Sequence, residues 1–472
     1  MLRPWNLEIQ IDAASAQPVY LQIADTVIEA IRSGRLKSGD ALPGSRSLAA
    51  LLQVNRNTVV EALNVLMNEE WIVSRERKGY FVAGDIPSPV ATGRYNKQPD
   101  LLQPDVQRTA HIVFDDGHPD SKIAPVDELA RAYRQLFSRK ARWQMMGYGD
   151  ELGDVAFRKA IAQMLNHQRG MQISEQHICI TRGSQMAMYL AAHCLLQPGD
   201  HVLVEQPGYR PAWRAFEQAG AVLLPVRVDG EGVMIEDITH WLVSGKKIKA
   251  IYVTPHHQYP TTVTLSLQRR LELIRLSNEH GFTIIEDDYD NEFHFGYRPV
   301  LPLSSYSEVQ HYVYVGTMSK VVAPALRIGF MVSGCDYIRK AASLRKIIDV
   351  QGDAIMEQAV LQLIQEGTVK RHLKKATAYY KAKRDRMAAL IGECLGEKVF
   401  FEKPDGGLAF WIVPRQPVDL NGIIGQLEKK GIRFTSPDHY SDDRSAYGLR
   451  LGYASMPEAL FREGLEALAS LL

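Results

Sequence analysis

The chain has 472 residues, too many for one ordinary domain, and 46% of them are apolar, enough to build sizeable cores. A formal charge of +1 singles out no partner, so any nucleic-acid surface has to be local. No apolar run reaches the roughly 18 residues of a membrane span, and the opening MLRPWNLEIQIDAAS lacks the apolar stretch of a secretory signal. The four cysteines (Cys179, Cys194, Cys335, Cys394) show no CxxC spacing and read as free thiols, so the expected compartment is the cytoplasm.

Residues 14–83 read as a compact module. In PVYLQIADTVIEAIRSGRL, Tyr20, Ile23, Val27 and Ile31 share one helical face, and Gly34 follows as a stop. LPGSRSLAALLQVNRNTVVEALNVLMNEEWI holds two further helices around a turn at Gln53–Asn55, with Asn55 as N-cap and Val59, Leu63 and Leu66 toward the core. WIVSRERKGYFVA reads as a hairpin whose tip is Arg75 to Gly79. Three helices and a hairpin make a winged helix-turn-helix. A recognition helix offers its first turn to base edges, which selects Asn55, Arg56, Asn57 and Thr58. Arg46, opening the preceding helix, and the wing-tip cations Arg75, Arg77 and Lys78 suit phosphates, so the expected partner is a double-stranded DNA operator. The competing reading is a winged helix used only for protein contacts; residues 1–84 hold as many acidic as basic side chains, but the basic ones lie where DNA would be.

Residues 84–110 include GDIPSPVATGRYNKQPDLLQPDVQRT, rich in proline and poor in periodicity, which reads as an extended linker. From His111 to the end, strand candidates HICIT, HVLVEQ, AVLLPVRV, KAIYVTP, FTIIEDD, HYVYVG and RIGFMV alternate with helical stretches. This pattern predicts a largely parallel α/β sheet. From about residue 354 a long helical region, then GGLAFWIVP, GIRFTSP and YGLRLGYA, predicts a smaller C-terminal α+β lobe.

The chemistry of this region gathers around Lys320 in GTMSKVVAPALRIG. Upstream, TIIEDDYDNEF places Asp287 and Tyr289 two apart, pointing together from a strand's carboxyl end, where open α/β sheets bind ligands. Gly183, Ser184 and Gln185 open a helix after the strand ICIT, where free N–H groups and the helix dipole favour a phosphate. A lysine, an acid at a strand's carboxyl end and a phosphate cradle together suit a cofactor with one aldehyde, one basic ring nitrogen and one phosphate. Pyridoxal 5′-phosphate has all three. Lys320 would form the Schiff base, Asp287 would keep the ring nitrogen protonated, and Tyr289 would bond the ring oxygen. Ser184, Gln185, Thr317 and Arg327 would hold the phosphate, and Tyr209 in EQPGYR would stack on the ring. The adjacent His256 and His257 would point to opposite faces of extended backbone, which argues against a shared metal.

The first module resembles the GntR family of bacterial regulators through LPGSRSLA and NRNTVVEAL. The large domain resembles the fold-type I aminotransferases, and nearly the whole chain resembles the MocR/GabR-type regulators, through YGDELGD, TRGSQ, EQPGY, TPHHQYPTT, EDDYDNEF, GTMSKVVAPALRIG and GLRLGYA. The resemblance implies a head-to-tail homodimer in which Tyr148 reaches the other subunit's cofactor. It also implies that Arg450 clamps the carboxylate of a substrate or effector, and it supports the roles given above. Where the family commonly has glycine this chain has Thr262, whose side chain is expected to narrow the cavity near the cofactor.

Two functions fit. One is a transcription regulator that senses an amine or amino acid through an external aldimine displacing Lys320. The other is a working aminotransferase with an accessory DNA-binding head. The fusion favours the regulator, because a metabolic enzyme gains nothing from reading DNA. An effector can shift such a switch only by its differential affinity for two arrangements of the small lobe.

Overall fold

The computed structural model describes residues 8–12, 15–76, 78–84, 110–138, 143, 146–296, 300–441, 443 and 446–472. The chain divides into two compact units, Met1–Asp105 and Val106–Leu472. Most of the expected linker 84–110 lies outside the described residues.

In the first unit the order is α1 (Val19–Arg32), β1 (Ala41–Leu42), α2 (Ser45–Leu52), α3 (Arg56–Asn68), β2 (Ile72–Arg75) and β3 (Gly79–Val82). Ile23 and Val27 of α1, Leu48 of α2 and Val59, Leu63 and Leu66 of α3 close one core with Ile72 and Val82. Gln53 ends α2 in the left-handed region with φ 55°, and the Asn55 side chain accepts the Asn57 N–H at 2.8 Å to open α3. Strand β1 pairs with β3 and adds a third strand that the sequence reading lacks, because two residues are too few to show alternation. The unit also begins earlier than residue 14. Ile9 and Ile11 pack on its core, and the Asp12 N–H donates to Gln22 Oε1 at 2.9 Å.

The second unit runs β4 (Ile112–Val113), α4 (Val126–Ser138), α5 (Val155–Arg169), β5 (Ile178–Thr181), α6 (Ser184–Leu195), β6 (His201–Gln206), α7 (Arg210–Gln218), β7 (Val222–Asp229) and β8 (Gly232–Val233). There follow α8 (Ile235–Val243), β9 (Ile248–Val253), α9 (Leu267–His280), β10 (Thr283–Asp288), β11 (Tyr312–Thr317), β12 (Gly329–Val332), α10 (Cys335–Asp349) and α11 (Ala354–Gln365). The chain ends with α12 (Thr368–Leu395), β13 (Val399–Phe401), β14 (Ala409–Pro414), α13 (Leu420–Lys429), β15 (Ile432–Arg433), β16 (Leu449–Gly452) and α14 (Glu458–Ala469). The main sheet has the order β5-β12-β11-β10-β9-β6-β7-β8. It is parallel from β11 through β7, while β12 runs antiparallel to both of its neighbours. Both faces are covered. Val202 and Val204 join Ala250, Val313 and Val315 against α6, α7 and α10, while Leu203, Ile251 and Ile284 face α8 and α9 on the other side. This explains why the strands read as near-continuous apolar runs.

The boundary of the small lobe differs from the expected residue 354. Ala359, Val360, Leu361 and Leu363 of α11 sit in the same core as Phe157 and Ile161 of α5 and Ile178 of the large sheet. The small-lobe core instead takes in α12 from Ala376, together with β13 to β16, α13 and α14. Ile112 and Phe114 belong to it as well, because β4 pairs in parallel with β15. Helical periodicity alone does not say against which sheet an apolar face packs. A strand of two residues gives no signal at all.

Candidate functional site

The carboxyl ends of β6, β9, β10 and β11 open into a cavity of about 250 Å³. Its lining includes Lys320, Asp287, Tyr289, Ser184, Tyr209, Thr317 and Arg327, seven of the residues singled out from the sequence. Tyr252, Thr254, Tyr259, Ser319, Asp116, His118, Pro119 and Pro324 complete it. The Lys320 ammonium lies 4.4 Å from the centre of the Tyr289 ring. Burial pushes the Lys320 pKa down, opposed by the charges of Asp290, Asp115 and Asp116, so the neutral, nucleophilic amine is favoured relative to an ordinary lysine.

Asp287, one residue before the end of β10, is 4% exposed. Its Oδ2 accepts the Tyr252 hydroxyl at 2.9 Å, while its buried Oδ1 meets no hydrogen-bond partner among the described residues. Burial raises its pKa to about 7, with the Tyr252 bond pulling the other way. Tyr252 stands opposite Ile285 in the β9–β10 register, a pairing invisible in sequence until the strand order is known. The Tyr289 hydroxyl donates to the His257 carbonyl at 2.7 Å.

At the other end, Gly183 holds φ 82° just before α6, and a Cβ there would run into the Arg327 guanidinium. Arg327, itself at φ 51°, donates to the Arg182 carbonyl at 3.1 Å. The α6 N-terminus, Ser184 and Arg327 thus converge as an anion cradle. The Thr317 hydroxyl is engaged within the protein, donating to the Ile328 carbonyl at 3.2 Å and accepting the Ser319 N–H at 3.0 Å. Gln185 is not brought into the cavity. Its amide donates to the Pro211 carbonyl at 2.7 Å, and it lines a separate surface cleft with Arg182 and Tyr189.

Arg450, on β16 of the small lobe, is 1% exposed. Its Nη1 donates to the Pro260 carbonyl at 2.7 Å and its Nε to the Asp116 carbonyl at 3.1 Å, and the guanidinium stacks over Tyr259 at 4.9 Å. Tyr148 is 91% exposed and lies outside the cavity of its own chain. Thr262 is not among the cavity-lining residues, contrary to the expected narrowing; it turns the loop with φ 66° and donates its N–H to the Gln258 carbonyl at 2.7 Å. His256 and His257 face different acids. His257 Nδ1 meets Asp290 Oδ1 at 2.7 Å, and His256 Nδ1 lies 3.3 Å from Asp288.

In the first unit Arg46, Asn55, Arg56, Asn57, Arg75 and Lys78 are exposed and Thr58 is half-buried, while Arg77 lies outside the described residues. Asn55 spends its side-chain oxygen on the α3 cap, leaving its amide to donate. Arg75 stacks over Phe81 at 4.9 Å.

Residues 112–468 match the aminotransferase class I and II family. The chain belongs to that family. Residues 19–82 match the gntR family of bacterial regulatory proteins, so this class I and II member carries a DNA-binding head. The probable rhizopine catabolism regulatory protein MocR of Rhizobium meliloti is 27% identical, over 98% of this chain and 95% of its own. The aromatic-amino-acid aminotransferase 1 of Thermococcus litoralis is 28% identical over 75% of this chain and 86% of its own. Among solved structures, the kynurenine aminotransferase of Pyrococcus horikoshii superposes with a TM-score of 0.73 at 27% identity, covering 82% of this chain and 96% of that one. The cofactor of this aminotransferase-family domain is pyridoxal 5′-phosphate, and the residues present fit it. The unpartnered Asp287 oxygen suits a ring N–H, Lys320 suits an aldehyde, and the Gly183–Ser184–Arg327 cradle suits a phosphate. With both domains on one chain, this class I and II member is a pyridoxal-phosphate-dependent, DNA-binding transcription regulator of the MocR type.

Proposed function

We propose that the protein senses an amine or amino acid at Lys320 and converts its binding into altered DNA affinity, as a homodimer. The bound cofactor supplies an aldehyde that exchanges one amine for another and a ring that accepts electrons. The chain's own residues do the rest. Lys320 holds the resting amine, Asp287 fixes a ring proton, Tyr209 and Tyr289 flank the reacting groups, and Ser184, Thr317 and Arg327 anchor the phosphate end. Arg450 takes the effector carboxylate, and Tyr148, almost fully exposed, reaches the cavity of the second copy.

The observation that carries this reading is how Arg450 is held. It belongs to the small lobe, yet it donates to Pro260 in the loop after β9 of the large lobe. A carboxylate arriving at Arg450 competes with that bond, so effector binding bears directly on how the lobes are fastened. The same complete site supports the second reading, a working aminotransferase, since no group needed for imine exchange is missing.

Titrating the cofactor-loaded protein with amines, while following cofactor absorption and the anisotropy of labelled operator DNA, tests both. Sensing predicts that an amine changes both signals with little turnover, and that Arg450→Ala abolishes the DNA response to carboxylate-bearing amines. Rapid multiple turnover, with DNA affinity indifferent to every reacting amine, would favour the enzyme reading.

A further inference from the structure

Two consecutive acids, Asp115 and Asp116, reach the site from the segment after β4. Asp115 is occupied by its own fold. Its Oδ1 accepts the Gly117 and His118 N–H groups at 2.8 and 3.0 Å, its Oδ2 accepts the Ser455 hydroxyl at 2.7 Å, and its carbonyl accepts the Gly452 N–H at 2.8 Å. These bonds tie the segment to β16, the strand of Arg450.

Asp116 is used differently. Its carbonyl receives Arg450 Nε, but its side chain lines the cavity, and its buried Oδ1 has no hydrogen-bond partner among the described residues. Nor does it form an ion pair with Arg450, whose bonds go to the Pro260 carbonyl, the Asp116 carbonyl and, at 3.4 Å, the Tyr289 hydroxyl. Burial raises the Tyr259 and Tyr440 pKa values, and the Asp116 charge, close to both phenols, raises them further. The wall next to Arg450 therefore carries a carboxylate whose neighbouring donors are the neutral Tyr259 and Tyr440 phenols, with no cation paired to it among the described residues.

We propose that Asp116 selects effectors bearing a second cationic nitrogen, so that the effector class is a diamino acid whose carboxylate goes to Arg450. This rests on the sensing reading above. The physical ground is charge complementarity in a confined cavity. A carboxylate bound at Arg450 cancels the arginine and leaves the Asp116 charge faced only by neutral phenols; a second ammonium or guanidinium on the ligand restores balance and gives that carboxylate a cationic donor. A neutral amino acid offers Asp116 no cation, and a dicarboxylic one adds a like charge beside it.

The test uses full-length, cofactor-loaded protein and four probes of similar length: ornithine, norvaline, glutamate and 1,4-diaminobutane. Affinity is measured by calorimetry and normalised to the loaded fraction. Ornithine is expected to bind on the order of 10- to 100-fold more tightly than norvaline, the range of a charge-assisted hydrogen bond. Glutamate should be weakest, and 1,4-diaminobutane should fall below ornithine for want of the Arg450 contact. Asp116→Asn should erase the ornithine advantage, whereas Asp116→Glu, which keeps the charge, should retain part of it. Equal affinity for ornithine and norvaline overturns the proposal, as does an ornithine preference that survives Asp116→Asn. A melting-temperature loss in both variants with preferences unchanged assigns Asp116 a purely structural role and also overturns it. If norvaline and every other amine fail to bind at all, the sensing reading itself falls, and this inference with it.

Discussion

Asp287 shows how strongly one side chain depends on what fills the cavity beside it. Its carboxyl, like those of Glu205, Glu286, Glu292 and Glu357, is pushed up to about 7 mainly by burial. A folded-state pKa above the unfolded value means that the native chain binds more protons between about pH 4 and pH 7, so stability falls as pH rises through that window. For Asp287 alone the change is at most about 4 kcal/mol. Cofactor-free protein should therefore melt at a higher temperature near pH 5.5 than near pH 7.5, and Asp287→Asn should flatten that slope. An unchanged slope in the variant would mean that Asp287 stays charged in the empty site. Thr262 makes a second residue-scale prediction. A β-branched residue at φ 66° is strained, so Thr262→Gly should raise stability by about 0.5–1 kcal/mol in denaturant titrations despite the added chain entropy.

At the scale of elements, α3 was legible because its cap and its apolar period fall in one short stretch: Asn55 before Arg56, then Val59, Leu63 and Leu66. Asn55→Ala should cost about 1 kcal/mol of stability in the first unit, read by chemical denaturation. Within the same unit the exposed cations should divide by role. Losing Arg56 should relax base preference, by about 1–3 kcal/mol at one position if it binds a guanine through two hydrogen bonds. Losing Lys78 at the wing should weaken all sequences alike and flatten the dependence of affinity on salt. Salt-titrated binding to operator and scrambled DNA separates the two, and no change in either variant would favour a protein-contact module. In the second unit the strands were legible for a similar reason, since helices cover both faces and leave continuous apolar runs. The antiparallel direction of β12 was not, because strand polarity is set by connections and leaves no mark on composition.

For the whole molecule, the prediction concerns two heads on one duplex. In the homodimer proposed above, the two winged modules would require two half-sites on one face of the DNA, spaced by multiples of about 34–36 Å. Lengthening the spacer by half a helical turn should weaken binding more than lengthening it by a full turn. Modest changes in the 84–110 segment should be tolerated better than its replacement by a rigid helix, if its task is reach. Electrophoretic titrations with spacer and linker variants measure both, and affinity independent of spacer phase would argue against paired heads.

Local chemistry was enough to place the winged module, seven of the eight strands of the main sheet and Lys320 with Asp287, Tyr289 and Arg327, because caps, alternation and motif spacing are written in neighbouring residues. Tyr252 behind Asp287, Asp116 beside Arg450, and the membership of β4 and α11 in their cores came only with the fold. Each depends on segments far apart in the chain, Asp116 and Arg450 by 334 positions, being brought together by the packing of whole elements. Gln185 gives the converse case. A helix start pointed to the phosphate, but the position of Pro211 decided where the side chain went. Sequence spacing limits which groups can share a local turn or face; burial and strand order decide which groups share a cavity.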